Sequence, residues 1–221
     1  NFDYFMNPTQ HFSIRSAKGG YDHNFSYLVT CLETGEQCLI DPALPPETFD
    51  KYISSALTKI IITHTHGDHI AYLNAYQDMN PQPKIICHPL GKDKFQSFKI
   101  HPVQNEEKVT IGNLAFKILH TPGHYPDSIC ILLENILFTG DTLFVGRTGR
   151  VVSSGSNIQD LYHSVYDTIL NLPQKTIIYP GHDYGDKSTI SLDENIKISP
   201  LLQAIDENDF ISKMNTYEQN R

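Results

Sequence analysis

The segment HTHGDH at residues 64–69 constrains this chain more than any other, because only Thr63 separates it from the apolar run III at residues 60–62. Three branched apolar residues in a row are typical of a buried β-strand. Immediately after that strand, three imidazoles and one carboxylate crowd into six positions. Any fold for this chain must end a core strand where these side chains can share a polar environment. The four side chains are His64, His66, Asp68 and His69.

Length and composition indicate an ordinary globular protein. The chain has 221 residues, of which 39% are apolar and 19% are charged, enough for one large core but short for two full domains. We predict a single domain over residues 1–221 with a short helical tail at about 200–221. The net charge of −8 offers no cationic surface to nucleic acid or to an anionic membrane. No apolar stretch approaches the roughly 20 residues of a membrane-spanning helix, so we expect neither partner.

The four cysteines are irregularly spaced and form no C-x-x-C pair. This usage predicts buried thiols in a reducing cytoplasm. A disulfide between Cys31 and Cys38 across a hairpin is the less favoured alternative. The first ten residues show no secretory signal, although a signal already removed stays open because the sequence begins with Asn1 rather than Met. We therefore expect a cytoplasmic protein.

Predicted strands alternate with a few predicted helices, as in sheets covered by helices. A hairpin is predicted around ETGE at residues 33–36, where Gly35 can take a positive φ. Helices are predicted over residues 45–57, from HTHGDH to Met79, and over residues 157–172 with Asn157 as the N-cap. The remaining predicted strands are KIICH, KVTI, LAFKIL, SICILL, ILFTG and KTIIYP.

Polar side chains follow four of the predicted strands. In each case an apolar run is followed by Gly or Pro and then by His or Asp. Strands of one sheet, or of two packed sheets, can bring such ends to one rim, where loops free the side chains for function. Besides HTHGDH, the junctions are HTPGH ending at His124, FTGD ending at Asp141 and YPGH ending at His182.

The seven side chains at these junctions suit divalent metal ions, because imidazole nitrogen and carboxylate oxygen are preferred ligands of zinc and similar ions. Seven donors are more than one tetrahedral zinc ion can bind, so we expect two ions. One carboxylate would bridge them, and each ion would have room for water. His64 and His66 point the same way in an extended segment and can bind one ion. Asp68 and His69 follow the bend at Gly67 and can reach the second. A purely structural zinc site, the alternative, is usually closed and Cys-rich.

The other six histidines are assigned no ligand role. His120 is the nearest to a junction in sequence, and we interpret it as a residue that supports the ligands from outside. The remaining five match no ligand pattern: His11, His23, His88, His101 and His163.

In order and spacing, the four motifs resemble those of the metallo-β-lactamase superfamily, over almost the whole chain from FSYLV at residues 25–29 to beyond His182. The resemblance implies an α/β fold, a four-layer αββα sandwich with metal ions at one edge of the two sheets. It also implies a ligand set. One ion would be held by His64, His66 and His124, the other by Asp68, His69 and His182, with Asp141 as the bridge.

Within the superfamily, the chain is most similar to glyoxalase II and the persulfide dioxygenases. GDTLFVGRTGR resembles the glyoxalase II segment after the bridging Asp, and the resemblance implies that Arg150 and Tyr184 bind a glutathione carrier. Two departures stand out. Val152 replaces a second Tyr that glyoxalase II usually has, and the chain ends about 40 residues after His182. That tail is similar to the short C-terminus of persulfide dioxygenases and compact hydrolases.

These features favour a metal-dependent hydrolase that cleaves a thioester, such as a hydroxyacylglutathione, with hydroxide formed from metal-bound water. Asp68 and Asp141 are its expected catalytic carboxylates, and the ions are expected to be zinc, with iron or manganese as alternatives. The rival hypothesis is a persulfide dioxygenase with one Fe(II) on His64, His124 and Asp141. A β-lactamase and a non-catalytic metal-binding module are weaker alternatives, and a homodimer stays open.

Overall fold

Two β-sheets form the centre of the molecule, which is described by a computed structural model covering residues 4–5, 11–54 and 56–219. The first sheet has seven strands in chain order. The strands are Tyr4–Phe5 (β1), Phe12–Gly19 (β2), Asn24–Cys31 (β3), Gln37–Ile40 (β4), Leu57–Ile61 (β5), Lys84–Cys87 (β6) and Ile100–Pro102 (β7). Strands β1 to β4 are antiparallel, whereas β4 to β7 are parallel.

The second sheet has six strands in the order β15-β14-β11-β10-β9-β8. Its strands, together with a separate hairpin of β12 and β13, are Lys108–Ile111 (β8), Leu114–His120 (β9), Ile129–Leu133 (β10), Ile136–Gly140 (β11), Leu143–Phe144 (β12), Arg147–Thr148 (β13), Ile177–Pro180 (β14) and Ile190–Ser191 (β15). Only β11 and β14 pair in parallel, and the other pairs are antiparallel. The parallel pairing matters for the site, because it places the carboxyl ends of β11 and β14 at the same edge.

Helices cover the outer faces of both sheets. The α-helices are Leu73–Gln77 (α1), Ile158–His163 (α2), Leu192–Ile198 (α3) and Glu207–Gln219 (α4). Helix α2 continues as a π-helix over Ser164–Ile169, and short 3₁₀ turns lie at Pro46–Phe49, Pro89–Phe95 and Pro200–Leu202.

Three hydrophobic clusters hold these layers together. The central cluster joins the inner faces of the two sheets, with Tyr27 of β3 packed against Phe138 of β11 at a ring-centroid distance of 5.2 Å. A second cluster packs α2 and α4 on the outer face of the second sheet, where Phe210 is fully buried. A third covers the first sheet with residues such as Phe49 and Tyr76. The predicted four-layer αββα sandwich is confirmed.

Most of the predicted elements are present, with one clear exception. The hairpin of β3 and β4 forms with Gly35 at φ 77°, and Asn157 caps α2 by accepting hydrogen bonds from two backbone N–H groups. The helix predicted over residues 45–57 is wrong: among the described residues of this range, from which residue 55 is missing, only Pro46–Phe49 is helical. The buried side chain of Gln37 explains the early end, because it donates to Tyr52 O and accepts from Ser54 N, bonds that a helix would make internally.

The other predicted helices are shorter than expected or split. The helix predicted up to Met79 is limited to α1, after a stretch of turns. The predicted tail contains Pro200–Leu202 and α4, while its residues 220–221 lie outside the described part. The four cysteines are free and buried, so the predicted buried thiols are present and the alternative Cys31–Cys38 disulfide is not.

Candidate metal centre

The four strand-end junctions meet at one edge of the sandwich. HTHGDH follows β5, His124 follows β9, Asp141 follows β11 and His182 follows β14. The structure brings all seven predicted ligands into one cluster, which we call the seven-residue centre: His64, His66, Asp68, His69, His124, Asp141 and His182. Their donor atoms form three overlapping groups, within each of which all atoms lie within 4.8 Å of one another.

Three imidazoles form the first half of the centre. Nε2 of His64 lies 3.0 Å from Nδ1 of His66, and Nε2 of His124 lies 3.0 Å from the same Nδ1. The His64 and His124 side chains are buried and that of His66 is partly buried. Three ring nitrogens pointing at one small volume match the open three-ligand sites in which zinc or iron is held by imidazole.

The second half contains two imidazoles and one carboxylate. Nε2 of His69 lies 3.2 Å from Nε2 of His182. Oδ2 of Asp68 lies 3.4 Å from Nε2 of His182 and 3.7 Å from Nε2 of His69. This half therefore offers a second set of three converging donors, on the other side of Asp141.

Asp141 lies between the two halves. Its Oδ2 is 3.5 Å from Nε2 of His124 in the first half and 3.3 Å from Nε2 of His182 in the second. Its Oδ1 lies 3.2 Å from Nε2 of His69, and it is buried without a hydrogen-bond partner among the described residues. A buried carboxylate oxygen without a partner is costly, and a cation at the centre would remove that cost.

The outer nitrogens of four histidines fix which ring nitrogen faces the centre. Each Nδ1 lies next to an oxygen that can accept a hydrogen bond, so the proton is assigned to Nδ1 and the lone pair to Nε2. The acceptors are Thr63 Oγ1 for His64 (3.2 Å), Asp41 Oδ2 for His69 (2.7 Å), Arg150 O for His124 (2.8 Å) and Asp22 O for His182 (2.7 Å). Such partners are typical of metal-ligating histidines, whose orientation they hold, and the residues present therefore fit divalent ions.

The carboxylates make the centre favourable for positive charge. Burial disfavours the charged form of His182, but Asp141 and Asp68 outweigh burial and raise its pKa to about 9. Burial likewise opposes the charged form of His69, whose pKa Asp141 and Asp41 nevertheless raise. By contrast, burial lowers the pKa of His66 to about 4. A divalent cation satisfies the carboxylates while leaving the imidazoles neutral and able to bind it.

Two glycines allow the junctions to approach so closely. Gly140 has φ +46°, and a Cβ there would lie 2.6 Å from Oγ1 of Thr63. A Cβ on Gly181 would lie 2.3 Å from Oδ1 of Asp141 and 2.8 Å from Cε1 of His69. Any larger residue at either position would displace the donors that follow β11 and β14.

Three residues that sequence reasoning missed hold the centre from outside. Asp41 is buried and accepts from the N–H and the hydroxyl of Thr63 as well as from His69. Asn24, also buried, donates to Asp68. Asp22 uses its backbone carbonyl to hold His182 and its carboxylate to accept from the Tyr184 hydroxyl. Asp41 carried a usable signal, since CLIDP ends an apolar run with Asp in the same way as the ligand junctions.

An open pocket of about 780 Å³ leads to the centre, a volume suited to a small-molecule substrate. Arg150 and Tyr184, implied as substrate-binding residues, both line it, as does Arg147, which sequence reasoning missed. Arg150 is ion-paired with Glu218 of α4 at 2.9 Å. The Tyr184 ring stacks parallel to that of His182 at 4.9 Å. Val152 is 61% exposed.

His120 does not support the ligands as we expected. Its ring stacks on that of His88 at 3.9 Å, and its Nε2 lies 2.9 Å from the carbonyl oxygen of Pro126. No described contact joins it to the seven-residue centre, and its ring instead faces His88, which directly follows β6. The interpretation of His120 as a residue that holds the ligands was wrong.

Known proteins with similar sequences or folds agree with this geometry. The model of the metallo-beta-lactamase superfamily matches residues 19–182. The hydroxyacylglutathione hydrolase of Nitrosococcus oceani is 34% identical over 167 residues, which cover 73% of this chain and 62% of that protein. The persulfide dioxygenase ETHE1 of Homo sapiens is 29% identical over 184 residues, covering 80% of this chain and 71% of that protein.

Among solved structures, ETHE1 from Myxococcus xanthus is similar with a TM-score of 0.80 and 30% identity, covering 92% of this chain and 90% of that one. The sequence match to the Nitrosococcus hydrolase spans less than two thirds of the length of that protein. Among the described residues, we find no helix that is both long enough and apolar enough to span a membrane.

Proposed function

Because the chain belongs to the metallo-beta-lactamase superfamily, we propose that it is a metal-dependent hydrolase that cleaves a small-molecule thioester, with a hydroxyacylglutathione as the representative substrate. The observation that carries this proposal is the completeness of both halves of the centre. Each half offers three converging donors, and Asp141 reaches both. Every one of the seven residues has a role when two ions are present.

The three groups of converging donors support the ligand assignment that the resemblance implies. His64, His66 and His124 would hold one divalent ion, whether zinc, iron or manganese. Asp68, His69 and His182 would hold the other, and Asp141 would bridge. When bound, such ions lower the pKa of water toward neutrality and polarise a carbonyl group.

The side chains of the chain itself orient and stabilise the reactants. Burial alone would raise the pKa of Asp68, but contacts with His182 and Asn24 outweigh it and hold the pKa below its usual range. Asp68 is therefore an anion at neutral pH and can accept a hydrogen bond from the attacking water. The Tyr184 ring and the arginines of the pocket wall can contact the thiol portion of the substrate. A thiolate leaves readily, so the pocket needs no strong general acid.

Hydrolysis of a hydroxyacylglutathione and metal content, measured together, test this proposal. We expect about two ions per chain in the wild type. Asp141→Ala should lower kcat/KM by two or more orders of magnitude, because it removes the group shared by both halves. Asp193→Asn on α3 is the matched control, since that carboxylate is partly exposed and lies outside the pocket, and this variant should hydrolyse the substrate as the wild type does. Equal turnover by the wild type and Asp141→Ala would refute the proposal.

A persulfide dioxygenase is the second candidate, and the structural comparison favours keeping it. The structural match to ETHE1 from Myxococcus xanthus covers 90% of that chain. In addition, Val152 stands where glyoxalase II usually has a Tyr. In this case His64, His124 and Asp141 would hold a single Fe(II). One iron per chain, O₂ consumption with glutathione persulfide and little loss in Asp68→Ala would favour the dioxygenase over the hydrolase.

A further inference from the structure

Arg147 differs from Arg150, the other arginine that lines the pocket. It lies in β13, and its guanidinium carbon is 4.1 Å from the centroid of the Tyr184 ring. Its Nη1 donates to the hydroxyl of Tyr217 at 3.1 Å. Its Nε is buried and has no hydrogen-bond partner among the described residues. The side chain is thus held in place by an aromatic face and a neutral hydroxyl.

The charge of Arg147 is not neutralised by a carboxylate. Within residues 11–54 and 56–219, no Asp or Glu forms an ion pair with it. Arg150, the other arginine in the pocket wall, is different, because both its Nε and its Nη2 lie 2.9 Å from Oε2 of Glu218. Glu218, in the last turn of α4, therefore already pairs with Arg150, the arginine that the resemblance implies for substrate binding. Of the two arginines that line the described pocket, Arg147 is therefore the one left for an incoming anion.

The position of Arg147 matches the thiol side of a thioester. The Tyr184 ring lies between Arg147 and His182, stacking with the first at 4.1 Å and with the second at 4.9 Å. Arg147 thus lines the same pocket as the seven-residue centre and is linked to His182 through the Tyr184 ring. A guanidinium fixed by stacking binds a carboxylate well, since its planar fork matches the two oxygens and little freedom is lost on binding.

We propose that Arg147 is the specificity-determining residue of this pocket and binds a carboxylate on the thiol portion of the substrate, in the place that Arg150 would otherwise take. The inference rests on the proposed function for the identity of the substrate class, but the binding step needs no turnover. It predicts that thiol compounds with a carboxylate bind and that otherwise similar compounds without one bind weakly.

Binding of unreactive thioethers to the metal-loaded protein tests this inference directly. S-methylglutathione carries carboxylates, whereas S-methyl-N-acetylcysteamine carries none. Titration calorimetry should give the wild type at least a tenfold lower Kd for the first compound. Arg147→Gln should raise the Kd for S-methylglutathione about tenfold or more and leave the second compound unchanged, the size expected for one charge-assisted contact. Arg147→Lys keeps the charge but loses the planar fork of the guanidinium. Its Kd for S-methylglutathione should lie between those of the wild type and Arg147→Gln.

A matched control is provided by Arg15, whose guanidinium stacks over the Tyr52 ring at 4.0 Å outside the pocket. Arg15→Gln removes the same charge and the same kind of stack, and it should bind S-methylglutathione as the wild type does. Equal Kd values in the wild type and Arg147→Gln overturn the inference, as does a wild type that binds both thioethers alike. If Arg147→Gln fails to fold, the Kd values of the two thioethers for the wild type and for Arg147→Lys still test the inference.

Thioester hydrolysis, measured separately, reports on the proposed function. Binding without hydrolysis refutes the hydrolase and leaves the role of Arg147 standing.

Discussion

Asn24 donates a hydrogen bond from Nδ2 to Oδ2 of Asp68 at 2.9 Å, across 44 residues of sequence. Asn24 begins β3 at the turn that follows β2, and this turn lies beside the loop that carries Asp68. The same turn holds His182 through the carbonyl oxygen of Asp22. One hairpin turn therefore positions two of the three residues assigned to the second ion and none of those assigned to the first.

The Asn24–Asp68 hydrogen bond leads to a prediction about metal loading. Asn24→Ala should weaken binding of the second ion by about 10–100-fold, the usual effect of removing a group that orients a ligand. Binding of the first ion should stay near the wild-type value. Chelator competition followed by elemental analysis measures both. Asn113→Ala is the control, because Asn113 also donates to a carboxylate, that of Glu33, but at an exposed site far from the centre. Equal loss of both ions in Asn24→Ala would show that the turn does not act selectively.

Asp41 links the fold to the centre, so its replacement should affect stability as well as metal binding. Asp41→Asn keeps the size and tolerates the observed φ of 53°, but it places an N–H where Thr63 and His69 donate. We expect the free energy of unfolding to fall by about 1–3 kcal/mol. Asp41→Ala should lose about 1 kcal/mol more, because alanine is strained at positive φ. Urea unfolding measures both variants, and a stability unchanged from the wild type in Asp41→Asn would contradict the buried network.

Gly123 immediately precedes His124, and its backbone leaves no room for a side chain. At φ +133°, a Cβ would lie 2.3 Å from the backbone of Leu161 in α2. We therefore expect Gly123→Ala to destabilise the protein by more than about 3 kcal/mol or to prevent folding. Gly35→Ala is the matched control, since its φ is also positive but nothing lies within 4 Å, and it should cost only about 1–2 kcal/mol. Similar losses of stability in the two variants would mean that backbone strain, and not the contact with α2, accounts for the effect of Gly123→Ala.

The His88–His120 stack gives a prediction for pH. Burial and the neighbouring His120 lower the pKa of His88 to about 4, below its unfolded value of about 6.5. The unfolded chain therefore binds a proton that the folded chain excludes, and stability falls as the pH drops from about 6.5 to 4. His88 is buried and His120 is partly exposed, and with solvent screening at His120 we expect an effect of about 1–2 kcal/mol.

His88→Asn keeps a helix-capping acceptor but cannot titrate, so its unfolding free energy should change less between pH 7 and pH 4.5. His163→Asn is the contrasting variant. Asp167 raises the pKa of His163, so protonated His163 stabilises the folded protein at acid pH. His163→Asn should therefore lower the free energy of unfolding at acid pH. If His88→Asn and the wild type lose equal stability on acidification, the lowered pKa of His88 does not contribute.

The sequence predicted the centre better than its surroundings. Each junction carries its own local signal, an apolar run followed by Gly or Pro and then His or Asp, so the sequence alone was enough to group His124, Asp141 and His182 with HTHGDH. The four-layer fold was expected from the resemblance that these motifs bear to the metallo-β-lactamase superfamily. Asn24 and Asp22 gave no such signal, because polar residues in a hairpin turn look like turn formers. Their role depends on which loop the folded hairpin touches.

Contacts between distant elements explain the other errors. Residues 45–57 have apolar spacing that suits a helix, but the Gln37 side chain on β4 takes the hydrogen bonds that would extend it. The resemblance implied Arg150 as a binding residue. Only the folded chain reveals that Glu218, 68 residues later, pairs with it and that no carboxylate in the described part of the chain pairs with Arg147.

The proposed hydrolysis depends on two divalent ions held by residues from four separate junctions. Anomalous diffraction from crystals of the metal-loaded protein tests this most directly. We predict two peaks roughly 3.5–4 Å apart, one among His64, His66 and His124 and one among Asp68, His69 and His182, with Asp141 contacting both. A single peak on His64, His124 and Asp141, or peaks away from these residues, would contradict the two-ion centre.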